Sequence, residues 1–187
     1  MILPIISFGN SILRTKCKNI SKDYKDLDNL LSNMWETMYA SRGVGLAAPQ
    51  INNPIRVFII DTQPFYDDEE EKIEGNPLKK VFINAKIINE EGDSWLFNEG
   101  CLSIPDIRED ISRKSTIKIE YFDENFNKHI DTYDGLTARV IQHEYDHIEG
   151  VLFIDKISTL RKRMIKGRLN DISKGKVRVN YLMRFPN

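Results

Sequence analysis

Residues 136–150 read LTARVIQHEYDHIEG, and inside them His143-Glu144-Tyr145-Asp146-His147 places two histidines four positions apart. The apolar spacing around this motif predicts a helix over Leu136 to Ile148, with Gly150 just beyond as a C-terminal stop. Residues four apart on a helix share one face, one turn apart, so both imidazoles can point at a single ion. Glu144 stands beside the first histidine, where its carboxylate can reach a water on that ion. A five-residue match can arise by chance, and its plainer reading is two partly buried, hydrogen-bonded histidines. Its position inside a helix with apolar flanks favours a metal site and a fold built around that helix.

Working outward, Tyr24, Leu27, Leu30, Leu31, Met34, Trp35 and Met38 step by three and four, which predicts an amphipathic helix capped by Ser21 and ending near Ser41, before Gly43. Arg56 to Ile60 reads as a buried strand. Residues 63–79, with Pro64, Gly75 and Pro77, read as a surface loop. Strand signals resume at Val81–Asn84, Ile87–Ile88 and Trp95–Phe97. Ile117, Ile119 and Tyr121 alternate with Lys118 and Glu120, as a half-buried strand does, and Asp123-Glu124-Asn125 can turn it into a hairpin with residues 128–132. A third helix is expected from Thr159 to Ile172, with Ser158 as cap and Leu160, Ile165, Leu169 and Ile172 on its inner stripe. Alternation at Val177, Val179 and Tyr181 predicts a last strand. Without regular βαβ alternation the fold class is α+β, with largely antiparallel sheet around the central motif helix.

The 187 residues suit one domain spanning residues 1–187. Formal net charge is -1, so the total charge gives no reason to expect a nucleic-acid partner. Its distribution is uneven. From Lys156 to Asn187 there are ten Lys or Arg and one acid, Asp171, whereas Asp67 to Glu74 holds six acids and one Lys. Solvated surface explains both runs most simply. The first ten residues show no basic n-region or cleavage site, and no stretch approaches the ~20 apolar residues of a membrane span. Two cysteines are too few for a disulfide framework, so a reducing cytoplasm is expected.

A hydrolytic metal site needs a third protein ligand and one open position. The third histidine, His129, lies in the expected hairpin among polar neighbours. Cys17 follows Arg14 and Lys16 and reads as a small core or surface residue. Cys101 lies in Glu99-Gly100-Cys101-Leu102-Ser103, directly after a strand signal, where Gly100 would let the backbone turn sharply and bring the sulfur inward. A thiolate suits zinc, iron or nickel. A metzincin would place its third histidine where this chain has Phe153, which cannot ligate. A thermolysin-type site would need a downstream Glu, and the one that follows, Glu149, is too close to fold back onto the same ion.

Three segments in this order, Gly43-Val44-Gly45-Leu46-Ala47-Ala48-Pro49-Gln50, Glu99-Gly100-Cys101-Leu102-Ser103 and Gln142-His143-Glu144-Tyr145-Asp146-His147, closely resemble the motifs of the peptide deformylases. The resemblance runs over essentially the whole chain, with the residue 63–79 loop and the basic C-terminal segment as subtype features. It implies a metallohydrolase that removes the N-formyl group from N-terminal formylmethionine of nascent polypeptides. It implies Fe(II) held by Cys101, His143 and His147, with zinc, nickel or cobalt able to substitute, and Glu144 as general base and then acid. It assigns the developing oxyanion to the Gln50 amide and the Leu102 backbone N–H.

Under the same resemblance, Gly43, Val44 and Gly45 form an edge to which an extended peptide can add through main-chain hydrogen bonds. Glu99, Gly100 and Arg108 belong to the peptide-binding region, and Arg113 resembles the partner of the motif glutamate. Because formylmethionine starts bacterial polypeptides, the expected location is a bacterial cytoplasm. Since the substrate emerges from the ribosome, the basic C-terminal segment is a candidate contact with the ribosome surface.

Overall fold

The computed structural model describes residues 1–67 and 76–186. In chain order these form β1 (Ile5–Ile6), α1 (Leu27–Ala40), β2 (Gly45–Ala47), β3 (Val57–Asp61), α2 (Gln63–Tyr66), β4 (Lys79–Cys101), β5 (Ile104–Phe122), β6 (Lys128–Asp134), α3 (Gly135–Ile148), α4 (Thr159–Ser173) and β7 (Met183–Arg184). Short 3-10 turns cover Ser11–Arg14, Ala48–Ile51 and Phe153–Asp155. Five strands form one antiparallel sheet in the order β2-β3-β4-β5-β6, while β1 and β7 pair in parallel as a separate two-stranded sheet. The α+β class with largely antiparallel sheet is therefore observed.

The alternation of side chains explains how the layers assemble. β3 is buried along its whole length. Val57 and Ile59 point to one side, where they join Leu31, Met34 and Met38 of α1. Phe58 and Ile60 point to the other, where they join Ala138, Val140, Ile141 and Ile148 of α3. A strand covered on both faces reads as a continuous apolar run, as Val57–Ile60 does. The motif helix α3 lies against β2, β3, β5 and β6.

Several expectations are corrected. α1 starts at Leu27, and Ser21 does not cap it; its N-terminus is Asp26 in the left-handed conformation (φ 59°), with Ser21 only closing a preceding turn to Tyr24. The three strand fragments between residues 81 and 97 belong to one strand, β4. Register shifts near Ile83, Ile87, Glu91 and Gly100 break its alternation into pieces. Gly100 makes no sharp turn. It sits in the ladder opposite Arg108, and the turn falls on Leu102 and Ser103.

The residue 63–79 loop begins with α2, and residues 68–75, with the acidic run after Asp67, lie outside the described residues. α4 carries the expected cap, with Ser158 accepting from the Arg161 N–H, but Leu160 is 67% exposed and does not belong to the inner stripe. Ile165 and Ile172 are buried and Leu169 is partly so. Val177, Val179 and Tyr181 are not a strand; the segment lies on the domain with alternate residues half-buried, and pairing begins only at Met183. Among the described residues, no helix is long and apolar enough to cross a membrane.

Candidate metal centre

The β4–β5 hairpin and α3 bring the ligands together. Cys101 is the last residue of β4, and His143 and His147 lie one turn apart on α3. Their donor atoms all lie within 4.8 Å of one another, with Cys101 Sγ 3.2 Å from His147 Nε2. A tetrahedral ion bound at ~2.0–2.3 Å separates its ligand atoms by roughly 3.5 Å, a spacing close to that of Cys101 Sγ and His147 Nε2, so the donor set suits a metal. His129 is elsewhere, on β6, bonded to Asp123. Cys17 is buried under the sheet, and burial pushes its thiol up to about 11, which keeps it protonated and unreactive.

Glu99 fixes the orientation of His143. It is 4% exposed, takes two bonds from Arg113 (2.6 and 2.9 Å) and one from Arg139 (3.1 Å), and lies 2.9 Å from His143 Nδ1. Burial alone would raise its carboxyl, but hydrogen bonds and charge from His143 and Arg113 outweigh that and hold it far below the usual carboxylate range. Burial would lower His143, but its hydrogen bonds to Cys101 and Glu99 hold it well above the ordinary histidine value. Since Glu99 stays ionised it must accept from Nδ1–H, so the Nε2 proton is the one that a bound ion would displace. Burial also depresses His147 well below the ordinary histidine value, leaving the neutral ring that ligation requires. Its Nδ1 is buried without a hydrogen-bond partner among the described residues.

Glu144 is 5% exposed, and its Oε2 has no hydrogen-bond partner among the described residues. Burial pushes its carboxyl up to about 7, against a lowering influence of His143. It fits against β2, since a Cβ added at Gly45 would lie 2.5 Å from Glu144 Oε1. Gln50, 2% exposed, is anchored by the Ala47 N–H donating to its Oε1 (2.8 Å). That bond turns Nε2 toward Ser103 Oγ (3.2 Å) and Cys101 Sγ (3.6 Å).

Gln50, Glu99, Cys101, His143 and Glu144 line a cleft of about 710 Å³ that also takes in Gly43, Val44, Gly100, Leu102 and Arg108. β2 is an edge strand of the five-stranded sheet, so the cleft runs beside backbone. Gly43 and Gly100 serve close approach. A Cβ at Gly43 would lie 2.9 Å from Leu102 Cδ1, and one at Gly100 would lie 2.8 Å from Arg108 Nη1. Arg108 itself is held by the Asn98 side chain (2.8 Å) and carbonyl.

Sequence reasoning passed over Ser103, Arg139, Asp146 and Tyr181. Arg139 is buried beside Glu99, donates to the Trp95 carbonyl (2.7 Å), and packs over the Trp95 ring at 4.4 Å. Asp146 binds Arg113 at 2.7 Å. The available signal was charge on the buried side of the motif helix: Arg139 and Asp146 fall among its apolar residues.

Comparison with known proteins finds relatives of one family. The family model described as "Polypeptide deformylase" matches residues 2–163. A peptide deformylase of Christiangramia forsetii is 60% identical over 100% of this chain and 97% of its own length. One from Flavobacterium psychrophilum is 56% identical over 98% and 97%. Among solved structures, the plant peptide deformylase PDF1B has a TM-score of 0.82 at 32% identity, covering 93% of this chain and 90% of its own. A Legionella pneumophila peptide deformylase has a TM-score of 0.80 at 32% identity, covering 95% and 99%.

Proposed function

The chain belongs to the polypeptide deformylase family, and on that premise we propose which residues carry out its reaction and how. It is a metalloenzyme that hydrolyses the N-formyl group from N-terminal formylmethionine of nascent polypeptides, releasing formate. We assign the metal to Cys101, His143 and His147, the ion to Fe(II) in the cell with zinc, nickel or cobalt able to replace it, and the whole of residues 1–187 to one catalytic domain. When bound, the ion supplies Lewis acidity, lowering the pKa of water and polarising the formyl carbonyl.

The remaining steps fall to the chain's own groups. Glu144, with a carboxyl near neutral titration, takes a proton from the attacking water and hands it to the leaving amine. Gln50 Nε2, fixed by Ala47, and the Leu102 N–H receive the negative charge growing on the formyl oxygen; losing one such donor costs roughly 2.7–4 kcal/mol. Gly43, Val44 and Gly45 present the edge along which the peptide lies, and Glu99, Gly100 and Arg108 border it. Main-chain recognition of this kind accepts many sequences after the first residue.

The observation that carries this reading is the convergence of three soft and borderline donors beside a buried carboxylate whose Oε2 has no partner among the described residues. The test is formate release from formyl-Met peptides, with metal analysis of the same anaerobic sample, for the native protein and Glu144→Gln. The variant is expected to keep its metal and lose most turnover. Near-native kcat in Glu144→Gln would remove Glu144 from the chemistry.

We further propose a bacterial cytoplasmic location and contact with the ribosome surface through the basic C-terminal segment. Not every cation there is available. Arg161 holds Glu109 through two 2.8 Å bonds, Lys162 binds the Asp155 carbonyl, and Arg168 binds the Asp106 carbonyl. Arg163, Lys166, Lys174 and Lys176 have no such side-chain bonds among the described residues. Changing Arg163, Lys166 and Lys174 together to Glu is expected to abolish low-salt co-sedimentation with ribosomes while leaving hydrolysis of a short peptide intact. Undiminished pelleting of that variant would refute the contact.

A further inference from the structure

The cleft has a wall that the motifs do not supply. Arg178, Val179, Asn180 and Tyr181 line it, together with the motif helix residues Val140 and His143. The family model ends at residue 163, so this wall is built from chain beyond it. The segment is tied down at both ends of its path. α4 precedes it, packed on the domain through Ile165 and Ile172. After it, β7 pairs with β1, reinforced by the Ile5 N–H donating to the Leu182 carbonyl (2.8 Å) and the Ser7 N–H to the Arg184 carbonyl (3.0 Å).

Midway, the Tyr181 hydroxyl donates to the Leu102 carbonyl at 2.8 Å. The half-buried Tyr181 ring packs against the same apolar cluster as the Leu102 side chain. The residue after Leu102 is held from the other direction, since the Phe8 N–H donates to the Ser103 carbonyl at 2.8 Å. Leu102 and Ser103 form the whole hairpin turn between β4 and β5, directly after the ligand Cys101. The ladder is irregular beside it, with a register shift between Gly100 and Cys101, so the contacts from Tyr181 and Phe8 help to set its peptide planes.

We infer that the C-terminal strap, residues 177–184, completes the active site, with Tyr181 as a positioning residue for the Cys101-Leu102-Ser103 turn. This rests on the assignment of the Leu102 N–H to the oxyanion. Tyr181 grips the carbonyl of the peptide plane after Leu102, while the catalytic donor lies on the plane before it. The two planes share one α-carbon, so fixing one narrows the orientations open to the other. Preorganisation of this kind acts on the transition state, where charge appears on the formyl oxygen, more than on substrate binding.

Tyr181→Phe keeps the ring packing and removes only the grip. kcat for a formyl-Met peptide is expected to fall about fivefold, the rate equivalent of one neutral hydrogen bond of ~1 kcal/mol. KM and bound metal are expected to stay as in the unaltered protein, and Tm to fall by no more than the roughly 2–4 °C that one such bond is worth. The inference is overturned if kcat stays within about twofold, or if its loss tracks a loss of metal or a larger loss of Tm, which would make the contact merely structural. Formate release by the unaltered protein separates the two readings. Its absence overturns both, whereas its presence with an unaffected Tyr181→Phe overturns the strap alone.

Discussion

Gly45→Ala tests the placement of Glu144 with a single methyl group. Gly45 lies in β2, paired with Ile60 of β3 and buried, so its backbone has nowhere to retreat. The new Cβ would stand 2.5 Å from Glu144 Oε1 and 2.8 Å from Cδ and Cγ, where ordinary contact begins at 3.4 Å. Glu144 is itself 5% exposed on the packed helix α3. The carboxylate therefore has to give way by about 0.9 Å. A misplacement of ~1 Å in a catalytic group costs on the order of 10²-fold in rate, or ~2.7 kcal/mol of transition-state stabilisation.

The added methyl also overpacks the site by ~1–3 kcal/mol, which lowers Tm by roughly 2–4 °C per kcal/mol in a chain of this size. The assay is steady-state formate release from a formyl-Met peptide, with metal content and Tm measured on the same preparation. Gly43→Ala is the matched control. Its Cβ would lie 2.9 Å from Leu102 Cδ1 and 3.3 Å from the Gly45 carbonyl oxygen and Met38 Cγ, none of them on Glu144, so the loss should be several-fold smaller. Folded, metal-loaded Gly45→Ala with kcat within about threefold of the native enzyme would refute the placement of Glu144 as the proton-transfer group.

Replacing Cys101, His143 or His147 by Ala is expected to remove metal and activity together, and a full metal load in Cys101→Ala would disprove the three-ligand assignment. Glu99→Gln leaves Arg113 and Arg139 buried without their shared carboxylate, so stability should fall by ~3–5 kcal/mol in denaturant unfolding. Metal affinity should fall about 10–100-fold by competition with a chelator, and unchanged affinity would show that His143 needs no such partner. The iron-loaded enzyme should inactivate in air faster than a nickel-loaded one, since a ferrous ion beside the Cys101 thiolate is open to oxygen chemistry; equal lifetimes would argue against Fe(II).

The motif helix and the paired arrangement of β5 and β6 were legible because their patterns are local. His143 and His147 share a face wherever the helix goes, and the alternation of Ile117, Ile119 and Tyr121 is unbroken in β5. β4 was not legible as one strand because its bulges shift the alternation each time, so Val81, Ile87 and Trp95 read as separate starts. The capping of α1 escaped because Asp26 closes it through a left-handed backbone, with no side-chain bond for a sequence pattern to reveal. At the site, Cys101 could be proposed from the chemistry of a thiolate after a strand. Tyr181 could not, because its value lies in a bond across 79 positions of chain.

The charges under α3 follow a different logic from the apolar core around them. Buried ion pairs seldom repay their desolvation, and apolar residues of the same shape are often as stable. Glu99 nevertheless gathers two bonds from Arg113, one from Arg139 and the His143 proton, while Arg113 reaches on to Asp146 of the motif helix. Arg139, His143 and Asp146 all lie on α3, and Glu99 lies two residues before Cys101 on β4. The network thus ties the strand that carries the sulfur to the helix that carries both imidazoles, through bonds with fixed directions. Apolar packing has no such direction, and a helix held by it alone could slide or rotate by a fraction of an ångström at little cost. A metal site tolerates little of that, because donor positions set affinity. The carboxylate at Glu99 is therefore best understood as a registration device between β4 and α3, with His143 tautomer control as its chemical output.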